Sequence, residues 1–176
     1  LSSISEITIG VDTSTRNWDG TYEGDGTQAT ITGLKSISDV DTENSALFLE
    51  VENKYTDLSV KAGVRYDDTP ITQLTSSGLQ SNDYSSLSAN VFMSYNVNEN
   101  TRYFYGVGKA SRVPDARELY FKGAMVSGMM TMNPLIGTPD LKETSNTEID
   151  FGVEKRYDDF KIKTKVFHSW LKDYIY

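Results

Sequence analysis

Apolar and polar residues alternate along several segments of the chain. Between residues 87 and 97 every odd position is apolar, whereas the even positions are Ser or Asn apart from Phe92. A period of two is typical of β-strands with one apolar and one polar face, because successive side chains point to opposite faces. Such segments lie within residues 7–12, 46–55, 58–67, 87–97, 102–107, 147–157 and 160–170. The pattern predicts an all-β chain of about seven strands.

The connections between the predicted strands alternate in length. Short links lie near residues 55–57, 96–101 and 157–159, and long polar loops near residues 19–43, 68–86 and 109–145. This layout is typical of outer-membrane barrels, and about ten residues of tilted strand span a bilayer. Tyrosines at strand ends fit an interfacial aromatic girdle: Tyr55, Tyr66, Tyr95 and Tyr157. We therefore expect an antiparallel, up-and-down transmembrane β-barrel, of which this chain forms a partial wall.

A water-soluble antiparallel β-sandwich would show the same alternation. Three features favour the membrane: the polar faces of the predicted strands are densely charged, their apolar faces are almost uncharged, and the loop lengths alternate. The charged face carries Glu50, Glu52, Lys61, Arg65, Glu148, Asp150, Glu154 and Arg156. A soluble binding or adhesion module remains the alternative.

The composition limits the possible functions further. The 176 residues carry a net charge of −8, which disfavours nucleic-acid binding because an acidic surface repels phosphates. There is no cysteine, and no run of about 18 apolar residues predicts a transmembrane helix. The chain starts without Met or a visible signal peptide and stops inside a strand-like run. We therefore expect a part of a longer protein.

Several short motifs resemble landmarks of the TonB-dependent outer-membrane receptors. Residues 103–120 run from a strand pattern into Arg-x-Pro and then Glu-Leu-Tyr, and residues 63–67 resemble the family's Gly-x-Arg-Tyr-Asp strand end. Residues 137–143 resemble its Asn-Pro-x-Leu-x-Pro-Glu segment, with two departures: Thr138 precedes the proline, and no proline precedes Glu143. The matching residues include Gly63, Arg65, Asp67, Arg112, Pro114, Glu118, Leu119, Tyr120, Leu141, Glu143 and Glu148.

The resemblance spans roughly residues 46–176 and implies a ligand-gated transporter. In this family a barrel of about 22 strands is blocked by an N-terminal plug domain, and an inner-membrane TonB complex drives import. Residues 1–176 would then be one part of the barrel, with the plug, the TonB-contacting box and the other strands outside them. The implied partners are outer-membrane lipid, the protein's own plug domain, the TonB complex and a ligand.

The resemblance also implies a class of cargo. We expect a ferric siderophore, because iron uptake is the family's commonest task, with copper or haem as alternatives. No cofactor is implied. A passive porin is disfavoured by the receptor-like motifs around Arg112 and Leu141.

Two groups of polar residues are candidates for a function. The charged face could dock the plug or guide the ligand, but for any single residue we favour solvation and cross-strand ion pairs. Pro114 removes a backbone donor, so we expect the paired strand to end there. Arg112 and Glu118 would then brace the start of the long loop, an interpretation that we favour over ligand contact.

Methionines cluster in the last long loop. Four of the five in the chain fall within eight residues: Met125, Met129, Met130 and Met132. Thioether sulfur is a soft ligand that suits Cu(I), and it also packs against a hydrophobic siderophore or haem. The alternative, which we favour from sequence alone, is adaptable apolar filler in a loop that folds inward.

The sequence gives no support for catalysis. His168, the single histidine, falls on the apolar face near a strand end and has no evident partner for catalysis or metal ligation. No glycine-rich phosphate loop opens a helix, and no pair of carboxylates is singled out. We expect a protein that is not an enzyme.

Overall fold

A single antiparallel sheet makes up most of the protein. The computed structural model describes residues 4–23, 33–75, 78–122 and 136–175. Its elements are β1 (Ile4–Thr21), β2 (Lys35–Lys54), β3 (Leu58–Thr75), β4 (Gly78–Asn98), β5 (Thr101–Arg112), α1 (Ala116–Tyr120), β6 (Thr144–Arg156) and β7 (Lys161–Lys172). The strands lie in sequence order, each antiparallel to its neighbour. The predicted up-and-down all-β architecture is confirmed, and in the described residues β1 and β7 are open edges.

The register of the strands collects the apolar side chains on one face of the sheet. One row of paired positions crosses all seven strands: Ile7, Val51, Ala62, Val91, Val107, Ile149 and His168. This face is uncovered, since Ile9 is 75% exposed and Leu47 is 60% exposed. A β-sandwich would bury the face under a second sheet, but the described residues form one sheet. The β-sandwich alternative is therefore wrong, and the face is suited to contact with lipid.

Two of the predicted long loops are wrong in extent. The strands have 12 to 21 residues, and β3 and β4 stay paired as far as Thr75 and Gly78. The loop predicted over residues 68–86 is therefore mostly strand, and the one predicted over residues 19–43 shrinks to residues 22–34 between β1 and β2. The third long connection persists, from residue 113 to residue 143.

Near the long connections the strands lose the hydrophobic pattern because their outward-facing positions become polar. Asp41, Asp68 and Asp83 occupy the same outward-facing positions that hold apolar side chains lower in the same strands. Backbone pairing continues there, but the apolar half of the alternation is lost. Hydrophobic periodicity therefore reports only the part of a strand that crosses the apolar band.

The short connections lie together at the opposite end of the sheet. Tyr157 and Phe160 flank the β6–β7 turn and stack with ring centroids 4.5 Å apart, and the Tyr157 amide donates to the Phe160 carbonyl over 2.8 Å. Within the described part of the chain, no helix is both long and apolar enough to cross a bilayer.

Two phenylalanines on the polar face cover glycines of the neighbouring strand. Phe48 lies opposite Gly10, and Phe104 lies opposite Gly152. A Cβ atom added to either glycine would overlap the opposing ring, and at Gly152 it would also lie 2.6 Å from the Thr164 carbonyl oxygen. These pairs let an aromatic ring lie flat on a wall that is otherwise polar, as in the aromatic rescue of strand glycines.

Gly152→Ala tests this packing. We expect the full-length protein to lose about 1–3 kcal/mol of unfolding free energy, because the added methyl group must displace the Phe104 ring or the adjacent backbone. Urea unfolding in detergent or vesicles measures the change. Gly108→Ala is the matched control on the adjoining strand, since the nearest atom to its added Cβ is Asn90 Cβ at 3.4 Å. Equal losses in both variants would contradict the packing argument.

Candidate functional site

The polar face of the sheet is an inner wall whose charges are largely paired with one another. Lys61 Nζ lies 2.7 Å from Glu50 on the adjoining strand. Glu154 lies 3.2 Å from both Arg102 and Lys161. These cross-strand pairs allow one face of the sheet to be densely charged, and they match the interpretation that we favoured for single charges.

Gly63, Arg65 and Asp67 share this inner face on β3. Arg65 donates from Nε and Nη2 to Asp67, at 2.9 and 2.8 Å, and from Nη2 to Asp12 at 3.2 Å. The motif thus ties β3 to β1 across β2. Gly63 pairs with Asn90 of β4. Both residues line a shallow concavity of about 630 Å³, whose lining also includes Glu148.

Glu148 lies on the inner face of β6. It accepts a hydrogen bond of 2.6 Å from Ser169 and lies 3.6 Å from Lys165, which also lies 3.3 Å from Asp150. The β6–β7 half of the wall is therefore neutralised internally, like the β2–β3 half.

A short helix follows β5 and begins at a capping box. The Asp115 carboxylate accepts from the amides of Arg117 and Glu118, while the Glu118 carboxylate accepts from the Asp115 amide. This reciprocal arrangement satisfies amides that the first turn leaves without helical partners. β5 ends at Arg112, two residues before Pro114, as predicted for a residue that lacks an amide hydrogen.

Arg112 and Glu118 form a bidentate ion pair across this turn. Arg112 Nη1 and Nη2 each lie 2.9 Å from one Glu118 carboxylate oxygen. The Arg112 hydrogen bonds, together with the Asp115 amide, hold the pKa of the Glu118 carboxyl below its ordinary value of 4.5. The chain is thereby bent inward over the polar face.

The inward-bent segment covers the largest buried apolar cluster described. Leu119, Ala116 and Tyr120 of α1 pack against Ile37 and Val40 of β2 and Ile71 of β3, and all six are at most 5% exposed. We call residues 113–122 and 136–143 the outer shelf, since they lie over the inner wall at the end with the long connections. Leu141 packs against the edge of this cluster.

Polar side chains of β4 hold the outer shelf in place. Asn82 donates to the Pro139 carbonyl over 2.7 Å and accepts from the Tyr120 hydroxyl. Tyr84 donates to the Leu141 carbonyl over 2.8 Å. Burial raises the pKa of the Tyr120 phenol, which keeps it protonated as a donor.

The sequence did not reveal several residues of this site. Val40, Ile71, Asn82 and Tyr84 all fall in segments that we expected to be polar loops. The available signal was the spacing of Thr69, Ile71 and Gln73 at alternate positions, which are buried on the inner face of β3. The Tyr120 and Pro139 partners of Asn82 lie 38 and 57 residues later in the chain, so no local pattern identifies them.

Other predicted residues lie elsewhere or outside the described chain. Met125, Met129, Met130 and Met132 fall outside the described residues. Glu143 leads into β6. His168 lies on the apolar face in edge-to-face contact with Trp170, at 4.3 Å between ring centroids. Within residues 4–23, 33–75, 78–122 and 136–175, no group of three or more His, Asp or Glu is arranged to hold a metal ion.

Comparison with known families identifies the class of protein to which this sheet belongs. Residues 5–176 match the family described as "TonB dependent receptor-like, beta-barrel". The chain belongs to the TonB-dependent receptors. These proteins reside in the outer membrane of Gram-negative bacteria, so the uncovered apolar face is the lipid side and the paired polar face is the lumen side. The predicted family and location are confirmed.

One solved structure that matches this receptor wall is "Copper transporter OprC". The two share 17% sequence identity with a TM-score of 0.74, and the match covers 97% of this chain and 28% of that chain. At this identity the likeness establishes the fold. Comparison with curated proteins gave no match.

Acidification should loosen the outer shelf. The lowered pKa of Glu118 means that its ionised form favours the folded shelf; this contribution is present above pH about 4.5 and is lost as the pH falls through the lowered pKa. Hydrogen exchange of the peptide spanning residues 116–122, corrected for intrinsic rates, should show protection that drops below pH about 4.5. Glu118→Gln should lack this step, whereas Glu99→Gln, at the opposite end of the wall, should keep it. An unchanged step in the Glu118→Gln protein would contradict the assignment.

Proposed function

We propose that the full-length protein is an outer-membrane receptor that imports a scarce, metal-bearing nutrient by active transport energised through TonB. The observation that carries the proposal is the two-faced wall: an uncovered apolar face outside, and inside a self-paired polar face under a folded outer shelf. Membership of the receptor family supports it. A plug domain and the TonB contact belong to the same proposal, as parts of the protein beyond this wall.

The inner wall suits passage of cargo more than tight capture. Its charges are compensated within the sheet, with Lys61 on Glu50 and Lys165 on Asp150. A charged cargo that passes such a surface contacts neighbouring groups of opposite charge, so no single point attracts it strongly. Selection would therefore take place at the outer end, where a concavity of about 720 Å³ lies between α1, residues 136–142 and residues 173–175. This volume is typical of ligand sites.

Ferric siderophores remain the first prediction for the cargo. The basis is the family's commonest task, and the outer concavity offers both aromatic and charged contacts, including Phe121, Tyr174, Arg117 and Lys142. Such mixed surfaces suit large chelates, which combine aromatic or amide groups with net charge.

Copper is the second candidate, and a specific observation favours it. Four methionines lie within residues 125–132, and thioethers prefer Cu(I) over harder ions. The described residues on either side of this segment, Lys122 and Ile136, pair as an isolated antiparallel bridge within the outer shelf. The match to a structure named as a copper transporter adds support.

Metal accumulation in cells tests the transport proposal. We expect cells that express the full-length protein to accumulate one of three probes, a ferric siderophore, haem or a copper salt, at least fivefold above a deletion strain. Removal of TonB should abolish the gain, because active import needs the energised complex. The gain must saturate as the probe concentration rises. Uptake that persists without TonB would indicate a passive pore.

A quadruple methionine substitution separates the candidate cargoes. If copper is the cargo, Met→Leu at positions 125, 129, 130 and 132 should reduce copper accumulation at least fivefold, because leucine keeps the apolar volume and removes the thioether ligands. Met93→Leu is the control, since Met93 lies on the apolar face of β4. Undiminished copper uptake in the quadruple variant would rule out a thioether site, and retained iron uptake would favour the siderophore.

A further inference from the structure

We propose that the outer shelf is a permanent part of the lumen wall, clamped by Asn82, and does not swing away when cargo binds. The proposal rests on the transport function proposed above. It assigns Asn82 of β4 as a positioning residue for the outer end of the cargo path. It also implies that cargo passes on the side of the outer shelf that faces residues 173–175.

The packing beneath the outer shelf argues against a moving part. Leu119, Val40 and Ile71 are each 0% exposed, although the rest of the sheet has no covering layer among the described residues. If the outer shelf lifted, these side chains would face the water of the lumen, where no described group could replace their contacts. Segments that open readily instead have few buried apolar contacts.

The outer shelf has two limbs, residues 113–122 and residues 136–143, and one side chain holds both of them. Asn82 binds the first limb through the Tyr120 hydroxyl and the second limb through the Pro139 carbonyl, at 2.7 Å. Each end of its amide group is therefore used, one as acceptor and one as donor. Tyr84, two residues along the same face of β4, adds the bond to the Leu141 carbonyl.

The two limbs also form one body. The amides of Gly137 and Thr138 donate to the carbonyls of Phe121 and Glu118, at 2.7 and 2.8 Å. A Cβ atom on Gly137 would lie 2.5 Å from the Leu119 carbonyl carbon, so the limbs touch backbone to backbone. Neither limb can move without the other.

The far side of the outer shelf is tied to β2 and to the residue after β1. The Lys122 amide donates to the Ser36 carbonyl over 2.8 Å, and the Tyr22 hydroxyl donates to the Lys122 carbonyl over 3.0 Å. With Asn82 on β4 and Ser36 on β2, the outer shelf bridges the intervening strand β3. It is anchored at both sides, which distinguishes it from a loop hinged at one edge.

A disulfide lock tests the proposal in the full-length receptor. The Lys122–Ser36 bond brings the two Cα atoms within about 6 Å, from standard bond lengths, which is within disulfide range. The chain has no cysteine of its own. In cells that express the Ser36→Cys/Lys122→Cys variant, reaction with a maleimide–polyethylene glycol label measures the fraction of free thiols, and this measurement needs no cargo. Transport is measured as accumulation of whichever probe, ferric siderophore, haem or copper salt, the metal-accumulation experiment shows to be taken up. Each single-cysteine variant is a control.

A fixed outer shelf predicts near-complete cross-linking with and without cargo, and uptake within about twofold between the oxidised and reduced receptor. It also predicts that Asn82→Ala reduces uptake at least fivefold, and that the disulfide restores it. Asn96→Ala, on the same face of β4 near its other end, should leave uptake unchanged. Rescue by the lock is a result that general destabilisation of the wall would not give.

Two outcomes would overturn the proposal. The first is a receptor that cross-links but loses uptake when oxidised and regains it with a reductant, which would mean that the outer shelf must move. The second is failure of the thiols to cross-link. If no probe is taken up at all, transport itself is in question, but the labelling still decides whether the outer shelf is fixed.

Discussion

The structure depends on one constraint: a strand in lipid must pair every backbone donor and acceptor with its neighbours. Pairing alone does not set the register, since a slip of one residue would satisfy the same hydrogen bonds. It would, however, move every apolar side chain to the other face. The row of paired positions from Ile7 to His168 across seven strands shows the observed register, which keeps the apolar side chains on the lipid side. The paired charges of the lumen side follow from it.

Above the apolar band the same constraint relaxes, and a different interaction takes over. Water can satisfy the backbone there, so the strands need neither an apolar face nor a neighbour at every position. The outer shelf supplies what the wall lacks, a buried core of Val40, Ile71 and Leu119. The outer shelf is thus ordered by hydrophobic burial and by Asn82, whereas the wall is ordered by pairing and lipid.

This division explains how much could be predicted from the sequence. Residues 87–97 alternate cleanly and their strand is predicted correctly, because lipid and lumen impose opposite preferences on their two faces. Residues 68–86 resemble a loop in sequence, because Asp68 and Asp83 occupy outward-facing positions that are apolar elsewhere in β3 and β4. The Arg112–Glu118 pair could be predicted from a local motif, because the two residues are six positions apart. The clamp by Asn82 could not be predicted, since its partner Pro139 lies 57 residues away and the contact exists only once β4 and β5 are paired.

The chemistry of the inner face follows from the same reasoning. Under the proposed transport function, unpaired charges of one sign along the lumen wall would each hold an oppositely charged cargo in place. Pairing Arg65 with Asp67 and Asp12, and Glu154 with Arg102 and Lys161, keeps the wall wet while leaving little net charge on it. Discrimination must then come from groups that the wall does not neutralise. Two such groups, Arg117 and Lys142, belong to the outer shelf and line its concavity, and neither is in an ion pair.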